Sequence, residues 1–134
     1  MGYSRPSIIE RRLVASNDLI HSHDAVADIY GTMETLAKEI TIASWMTETD
    51  LRIKCSFKRK TGGTAWMGFY RNDILVGAGW AQATDLYEEK TQDMSGWIKG
   101  DRLGVKVYCS GVVNRTLVKD LRIYAILSYF DNTY

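Results

Sequence analysis

The sequence predicts an all-β protein, an antiparallel β-sandwich of jelly-roll-like type with an extended N-terminal arm. Between residue 36 and the C-terminus, six or seven short apolar runs are separated by Gly, Asn and Asp signals at the spacing of a sandwich or barrel. Within several runs apolar and polar residues alternate, the period of a strand with one face in a core and the other in water. The composition, 46% hydrophobic and 25% charged with one proline and 11 glycines in 134 residues, suits a packed core and excludes a disordered or collagen-like chain. The length predicts one domain, divided into an arm or strand extension over residues 1–35 and a sandwich over 36–134.

The first strand of the sandwich is read in "LAKEITIASW", with Leu36, Ile40 and Ile42 inward. The clearest alternation follows in "LRIKCSFKRK", where Leu51, Ile53, Cys55 and Phe57 interleave with Arg52, Lys54, Ser56 and Lys58. "KTGGT" supplies a turn. "AWMGFY" sets Ala65, Met67 and Phe69 on one face and Trp66 and Tyr70 on the other, so both faces of this strand are apolar. Arg71-Asn72-Asp73 is a tight turn into "ILVGAGWAQAT", where Gly77 and Gly79 permit a bulge or a close backbone approach. "LYEEKTQDM" is polar enough for a sheet edge, since charge there discourages unwanted pairing. "SGWIKGD" is a turn-rich connection, and "RLGVKVYC" resumes alternation with Leu103, Val105, Val107 and Cys109 inward. The final run, "LVKDLRIYAILSYF", places Leu121, Ile123, Ala125 and Leu127 against Arg122, Tyr124 and Ile126.

Residues 1–35 hold no sustained period. A helix beginning at Asn17 or Ser22 and an extended arm both fit, and the density of β-branched, His, Ser and Asp residues favours the arm. Its apolar residues Ile8, Ile9, Leu13, Val14, Leu19 and Ile20 are candidates for gripping the chain's own sheet or a neighbour's. Glu10, Arg11 and Arg12 interrupt the apolar cluster, so no secretory signal is expected. No window approaches the roughly 20 apolar residues of a spanning helix, and membrane insertion is not expected.

A net charge of +1 gives no overall attraction for nucleic acid. Two local runs of opposite sign stand out, the basic Arg52, Lys54, Lys58, Arg59 and Lys60 and the mostly acidic Asp85, Glu88, Glu89 and Asp93. Such runs are usually solvated faces; otherwise they steer like molecules together head to tail. Cys55 and Cys109 lack CxxC spacing and read as small buried hydrophobes.

Residues that carry chemistry are scarce. His21 and His23 share a face of a strand with Asp24 beside them, which is half a tetrahedral metal site with no further ligand cluster in the sequence. Glu88 and Glu89 are adjacent and point to opposite faces of a strand, so they cannot act as a pair. "VGAGWAQ" is not GxGxxG and no glycine turn leads into GK[ST]. No catalytic, cofactor-binding or metal residues are expected, and no enzyme. Among four tryptophans and eight tyrosines, Trp66, Trp80 and Tyr87 are candidates for a sugar-stacking platform, together with Trp45 and Trp97; the competing reading is core or subunit interface. "NRT" at Asn114 matches a glycosylation acceptor formally.

The layout of turns and strand faces over residues 36–127 resembles that of β-sandwich virion structural proteins of tailed phages and related viruses. In that layout a "LRIKF"-type strand and glycine turn precede a "YRNG-x-x-VG" hairpin, a "GW-x-x-GD" turn and a closing "V-x-N-F-R-I" strand. The matching positions are Tyr70, Arg71, Asn72, Val76 and Gly77, then Gly96, Trp97, Gly100 and Asp101, then Val118, Leu121, Arg122 and Ile123. Asp73 and Asp120 depart from the usual glycine and asparagine, and both tolerate turn geometry.

The resemblance implies a non-enzymatic virion component (capsid decoration, head-fibre or tail protein), synthesised in the host cytoplasm and located in the virion. It implies assembly with itself, a trimer favoured, and with other virion proteins through the N-terminal arm. The alternative is a carbohydrate- or host-receptor-binding module that uses the aromatic platform on a host glycan. A small jelly-roll or TNF-like scaffold of cellular origin is the third reading.

Overall fold

A computed structural model describes residues 18–60, 62–111 and 113–126. Among these residues nine strands follow in order: β1 Leu19–His23, β2 Ala27–Tyr30, β3 Thr35–Thr41, β4 Asp50–Arg59, β5 Ala65–Arg71, β6 Ile74–Gln82, β7 Glu88–Met94, β8 Arg102–Cys109 and β9 Arg115–Ile126. A single 3-10 turn, Ser44–Glu48, links β3 to β4. One sheet has the order β1-β9-β4-β7, with β2 also on β9, and the second has β3-β8-β5-β6. Every pairing is antiparallel. β1 and β2 lie end to end along one flank of β9, and counted as one interrupted strand they complete the eight-stranded order of a jelly roll.

The core lies where the two inner faces meet. Leu51, Ile53, Cys55 and Phe57 of β4 face Met67 and Phe69 of β5 and Leu103, Val105 and Val107 of β8, all fully buried. The polar run over β7 forms the edge of its sheet, as its charge requires.

Two bulges decide which residues reach this core. On β9, Val118 and Leu121 are both fully buried although they are three residues apart, which a period of two forbids. An extra residue solves the conflict: Lys54 pairs with Arg122 while Ser56 pairs with Lys119, and Asp120 takes a left-handed φ of 55°. The gap between β1 and β2 lies opposite this bulge, where Asp24 accepts two hydrogen bonds from the Arg122 guanidinium at 2.9 and 3.1 Å. On β3 the register shifts between Leu36 and Lys38. Ile40 and Ile42 are buried as expected, but Leu36 is 43% exposed and Lys38 turns inward in its place, only 3% exposed. Its ammonium contacts His23 Nδ1 at 2.9 Å and donates to the Ala25 carbonyl, which ties β3 to the β1–β2 corner.

The N-terminal candidates divide. Ile8, Ile9, Leu13 and Val14 lie outside the described residues. Leu19 and Ile20 belong to β1, which pairs with β9 of the same chain; Leu19 is exposed and Ile20 packs against the core. Residues 19–30 are thus strands of the sandwich itself, ahead of the boundary expected at residue 36. Leu127 also lies outside the described residues.

The opposed charge runs meet within one chain. β4 and β7 are neighbours, and Arg52 pairs with Asp93 at 2.8 Å and Lys54 with Glu89 at 3.9 Å, while Arg59 reaches Asp85 at 3.0 Å. This mutual neutralisation leaves little of two exposed patches for head-to-tail steering.

Candidate functional site

β5 sits inside the second sheet between β8 and β6, so its outward side chains occupy the middle of that sheet's outer face. Trp66 pairs across to Tyr108, Gly68 to Lys106 and Tyr70 to Gly104. On the other flank Trp66 pairs with Ala81 and Tyr70 with Leu75. In a two-layer sandwich an outer face is usually polar; this one is aromatic and aliphatic at its centre.

The indole of Trp66 and the ring of Tyr108 stack with centroids 5.1 Å apart and planes at 26°. Glycine makes room for the indole. β6 bulges so that Met67 pairs with Trp80 but Phe69 with Val76, and Gly77 and Gly79 within the bulge both take a φ of 76°. A Cβ on Gly79 would stand 2.5 Å from Trp66 Cζ2, and one on Gly68 2.7 Å from Trp66 Cη2. Leu75 Cδ1 lies equally close over Gly68, and Leu36 Cδ1 lies over Gly104, 3.0 Å from where a Cβ would be. The exposure of Leu36 noted above therefore adds an apolar group to this surface.

Charged groups ring the patch. The Tyr70 hydroxyl bonds to the Glu34 carboxylate, and burial together with that carboxylate raises the phenol above its usual range. Lys106 lies 4.6 Å over the Tyr70 ring and 3.7 Å from Asp73. Arg102 bridges Asp73 at 3.2 Å and Glu39 at 3.7 Å. The rim thus offers carboxylates and cations, Asp73 and Glu39 paired with Lys106 and Arg102 and Glu34 bonded to the Tyr70 hydroxyl, around a centre of stacked rings. Such a surface suits a neutral, hydroxyl-bearing ligand with an apolar face.

The three residues expected to form a platform do not come together. Trp66 is on the outer face of the second sheet. Trp80 points inward from β6, edge-on to Phe69 with centroids 5.2 Å apart at 72°. Tyr87 stands on the outer face of the first sheet, with Lys58 and Lys119 at 4.8 and 4.3 Å from its ring centre. Trp97 is buried in the core and Trp45 is exposed on the 3-10 turn. Tyr108, Tyr70, Leu36 and Leu75 take the places of Trp80 and Tyr87 in the patch.

His21 and His23 lie on β1 in the other sheet, and among the described residues no three His, Cys, Asp or Glu side chains gather in a way that could hold a metal ion. Both cysteines are buried with free thiols, and burial pushes the Cys55 thiol up to about 12. The Asn114 side chain is folded into its own turn, donating to the Ser110 carbonyl at 2.5 Å.

No family model matches the chain, and no curated protein matches it. Among solved structures it is similar to the CBM22-1 xylan-binding domain of Paenibacillus barcinonensis Xyn10C, with 13% identity and a TM-score of 0.52 over 85% of this chain and 98% of that one. It is also similar to dimeric latent PorU from Porphyromonas gingivalis, with 12% identity and a TM-score of 0.39 over 86% of this chain and 14% of that one. At this level of identity the first likeness is one of fold, a β-sandwich.

Proposed function

We propose that the protein is a non-catalytic carbohydrate-binding module that receives a neutral sugar chain on the outer face of its second sheet, across Trp66 and Tyr108. The observation that carries this reading is the apolar, ring-stacked centre of a face that no other layer covers among the described residues, framed by charge-paired polar groups. The apolar faces of pyranose rings pack on aromatic side chains, and the rim of Glu34, Asp73, Lys106 and Arg102 offers partners for hydroxyls. A xylan-binding domain sharing the fold supports the same reading and makes xylan the first ligand to test.

The virion role implied by the turn layout has no separate support of this kind. Its matched residues Arg71, Asn72 and Asp101 bond to one another and brace one end of the sandwich, so their co-occurrence follows from architecture. Electrophoresis through gels containing xylan, mixed-linkage glucan or mannan tests the proposal. Retardation of the wild type in at least one gel, lost in a folded Trp66→Ala variant, supports it; unretarded migration in all of them overturns it.

A further inference from the structure

The outer face of the first sheet carries a second feature, on the opposite side of the sandwich from Trp66. Along the β4–β7 pair Arg52 meets Asp93 and Lys54 reaches Glu89, whereas Lys58 lies over the ring of Tyr87, just ahead of β7. Lys119 on β9 reaches the same ring. Both ammonium groups therefore lie within 4.8 Å of one ring centre. Among the described residues neither forms an ion pair.

The surrounding acids are engaged elsewhere. Asp93 pairs with Arg52 and Glu89 with Lys54. Glu88 pairs with Lys90, and Asp85 with Arg59. Asp28 holds Arg115 and Lys60, while Asp24 and Asp120 hold Arg122. Burial, then Asp120 and Asp28, raise the Tyr87 phenol, which keeps it a neutral O–H donor. Two ammonium groups without an ion pair among the described residues thus converge on one donor-bearing ring, beside the corner where Asp24 and Asp120 share the Arg122 guanidinium.

Further along the same strands, an open groove of about 360 Å³ is lined by Arg52, Lys54, Thr91, Gln92 and Asp93. It lies about 13 Å from Lys58 at the rise of an extended strand. Its lining is polar and suits hydroxyls.

We infer that Lys58, Lys119 and Tyr87 form a subsite for an oxyanion, the carboxylate of a uronic-acid polysaccharide whose chain runs on along the Arg52–Thr91 groove. Two charge-assisted hydrogen bonds from the ammonium groups and one from the phenol would hold the anion, with the tyrosine ring fixing the two lysine stems. This site is independent of Trp66, so either site can fail without the other.

Titration of ¹⁵N-labelled protein with inorganic sulfate, trigalacturonate and a neutral xylo-oligosaccharide tests it, with Lys58→Gln, Lys119→Gln and, as a charge-matched control, Lys99→Gln. Expected is saturable binding of trigalacturonate, with shifts on β4, β7 and β9 and affinity reduced at least tenfold in Lys58→Gln and in Lys119→Gln. Lys99→Gln and Trp66→Ala should bind it as the wild type does. Equal affinity in all variants, a non-saturating response, or sulfate binding with none of trigalacturonate would each overturn the inference.

Discussion

Asp101 and Asn72 join two turns that lie 29 residues apart in the chain: Asn72 Nδ2 donates to Asp101 Oδ1 at 3.0 Å. Asn72 Oδ1 in turn accepts the Arg102 backbone N–H at 2.8 Å, and Asp101 Oδ2 accepts from the Arg71 guanidinium at 3.0 and 3.2 Å and from the Ile98 N–H at 3.0 Å. Asn72 and Asp73 both hold left-handed φ values, 52° and 68°, as a two-residue hairpin turn demands. Arg71 then covers Trp97 with its guanidinium 4.5 Å from the ring centre.

Asp101→Ala should lower unfolding stability by about 2 kcal/mol, because the buried carboxylate is the shared acceptor of the Asn72 amide, the Ile98 N–H and the Arg71 guanidinium. Asn72→Ala should cost about 1–2 kcal/mol, and the double variant should cost less than the sum, since the two share a bond. Urea unfolding at pH 7 measures all three.

Trp66 and Trp80 should separate function from stability. Trp80→Ala removes an inward ring packed on Phe69 and should cost about 3 kcal/mol. Trp66→Ala uncovers glycines on an outer face and should cost about 1 kcal/mol, while abolishing retardation in the polysaccharide gel. Parallel melts and gels read both effects.

Gly79→Ala should act through Trp66. The left-handed φ costs a side chain about 1–2 kcal/mol, and the new Cβ would meet the indole at 2.5 Å. Gly100→Ala has a similar φ and nothing within 4 Å, so it should show the backbone cost alone. Tryptophan fluorescence and ligand binding should change in Gly79→Ala and not in Gly100→Ala.

Acid should destabilise the fold. The Asn72 amide, the Ile98 N–H and Arg71 hold the Asp101 carboxyl below its ordinary 3.8, and Arg122 and Arg52 do the same for Asp24 and Asp93. For a depressed carboxyl the unfolded chain binds protons more readily, so its stabilisation is complete above the ordinary value and is lost as pH falls through the folded values. Lys38 is also depressed, by burial, from 10.5, so its unfavourable share is relieved only as pH rises toward 10.5. Urea midpoints should hold between pH 7 and 5 and drop below about pH 4, less steeply in Asp101→Ala.

Much of the strand pattern was legible because one period governed it. The inward set of β4 and that of β8 follow from alternation alone, and the polar β7 reads as an edge. The faces of Trp66 and Trp80 were also within reach. With Arg71 opposite Ile74 across a two-residue turn, Phe69 meets Val76, and counting by twos carries Trp80 inward and Trp66 outward. Tyr108 is outward by the same count from Val107, but its place beside Trp66 depends on β8 lying next to β5, a crossover that no local pattern encodes. Likewise Leu36 turned outward beyond a bulge while Lys38 kept the inward face of Ile40, and β9 absorbed Asp120, because a single extra residue reverses every face beyond it. Residues 19–30 lacked a period because two short strands and a corner share a span that alternation needs uninterrupted.

The central claim is that neutral sugar binds across Trp66 and Tyr108. Its most direct test is a ¹⁵N and aromatic ¹³C titration with xylo-oligosaccharides, mapped onto the two outer faces. Saturable shifts on the Trp66 indole, the Tyr108 ring and the amides of Gly68, Lys106 and Gly104, with β4 and β7 unmoved, are the predicted result. Shifts confined to β4 and β7, or no saturable shift with any neutral oligosaccharide, would contradict it.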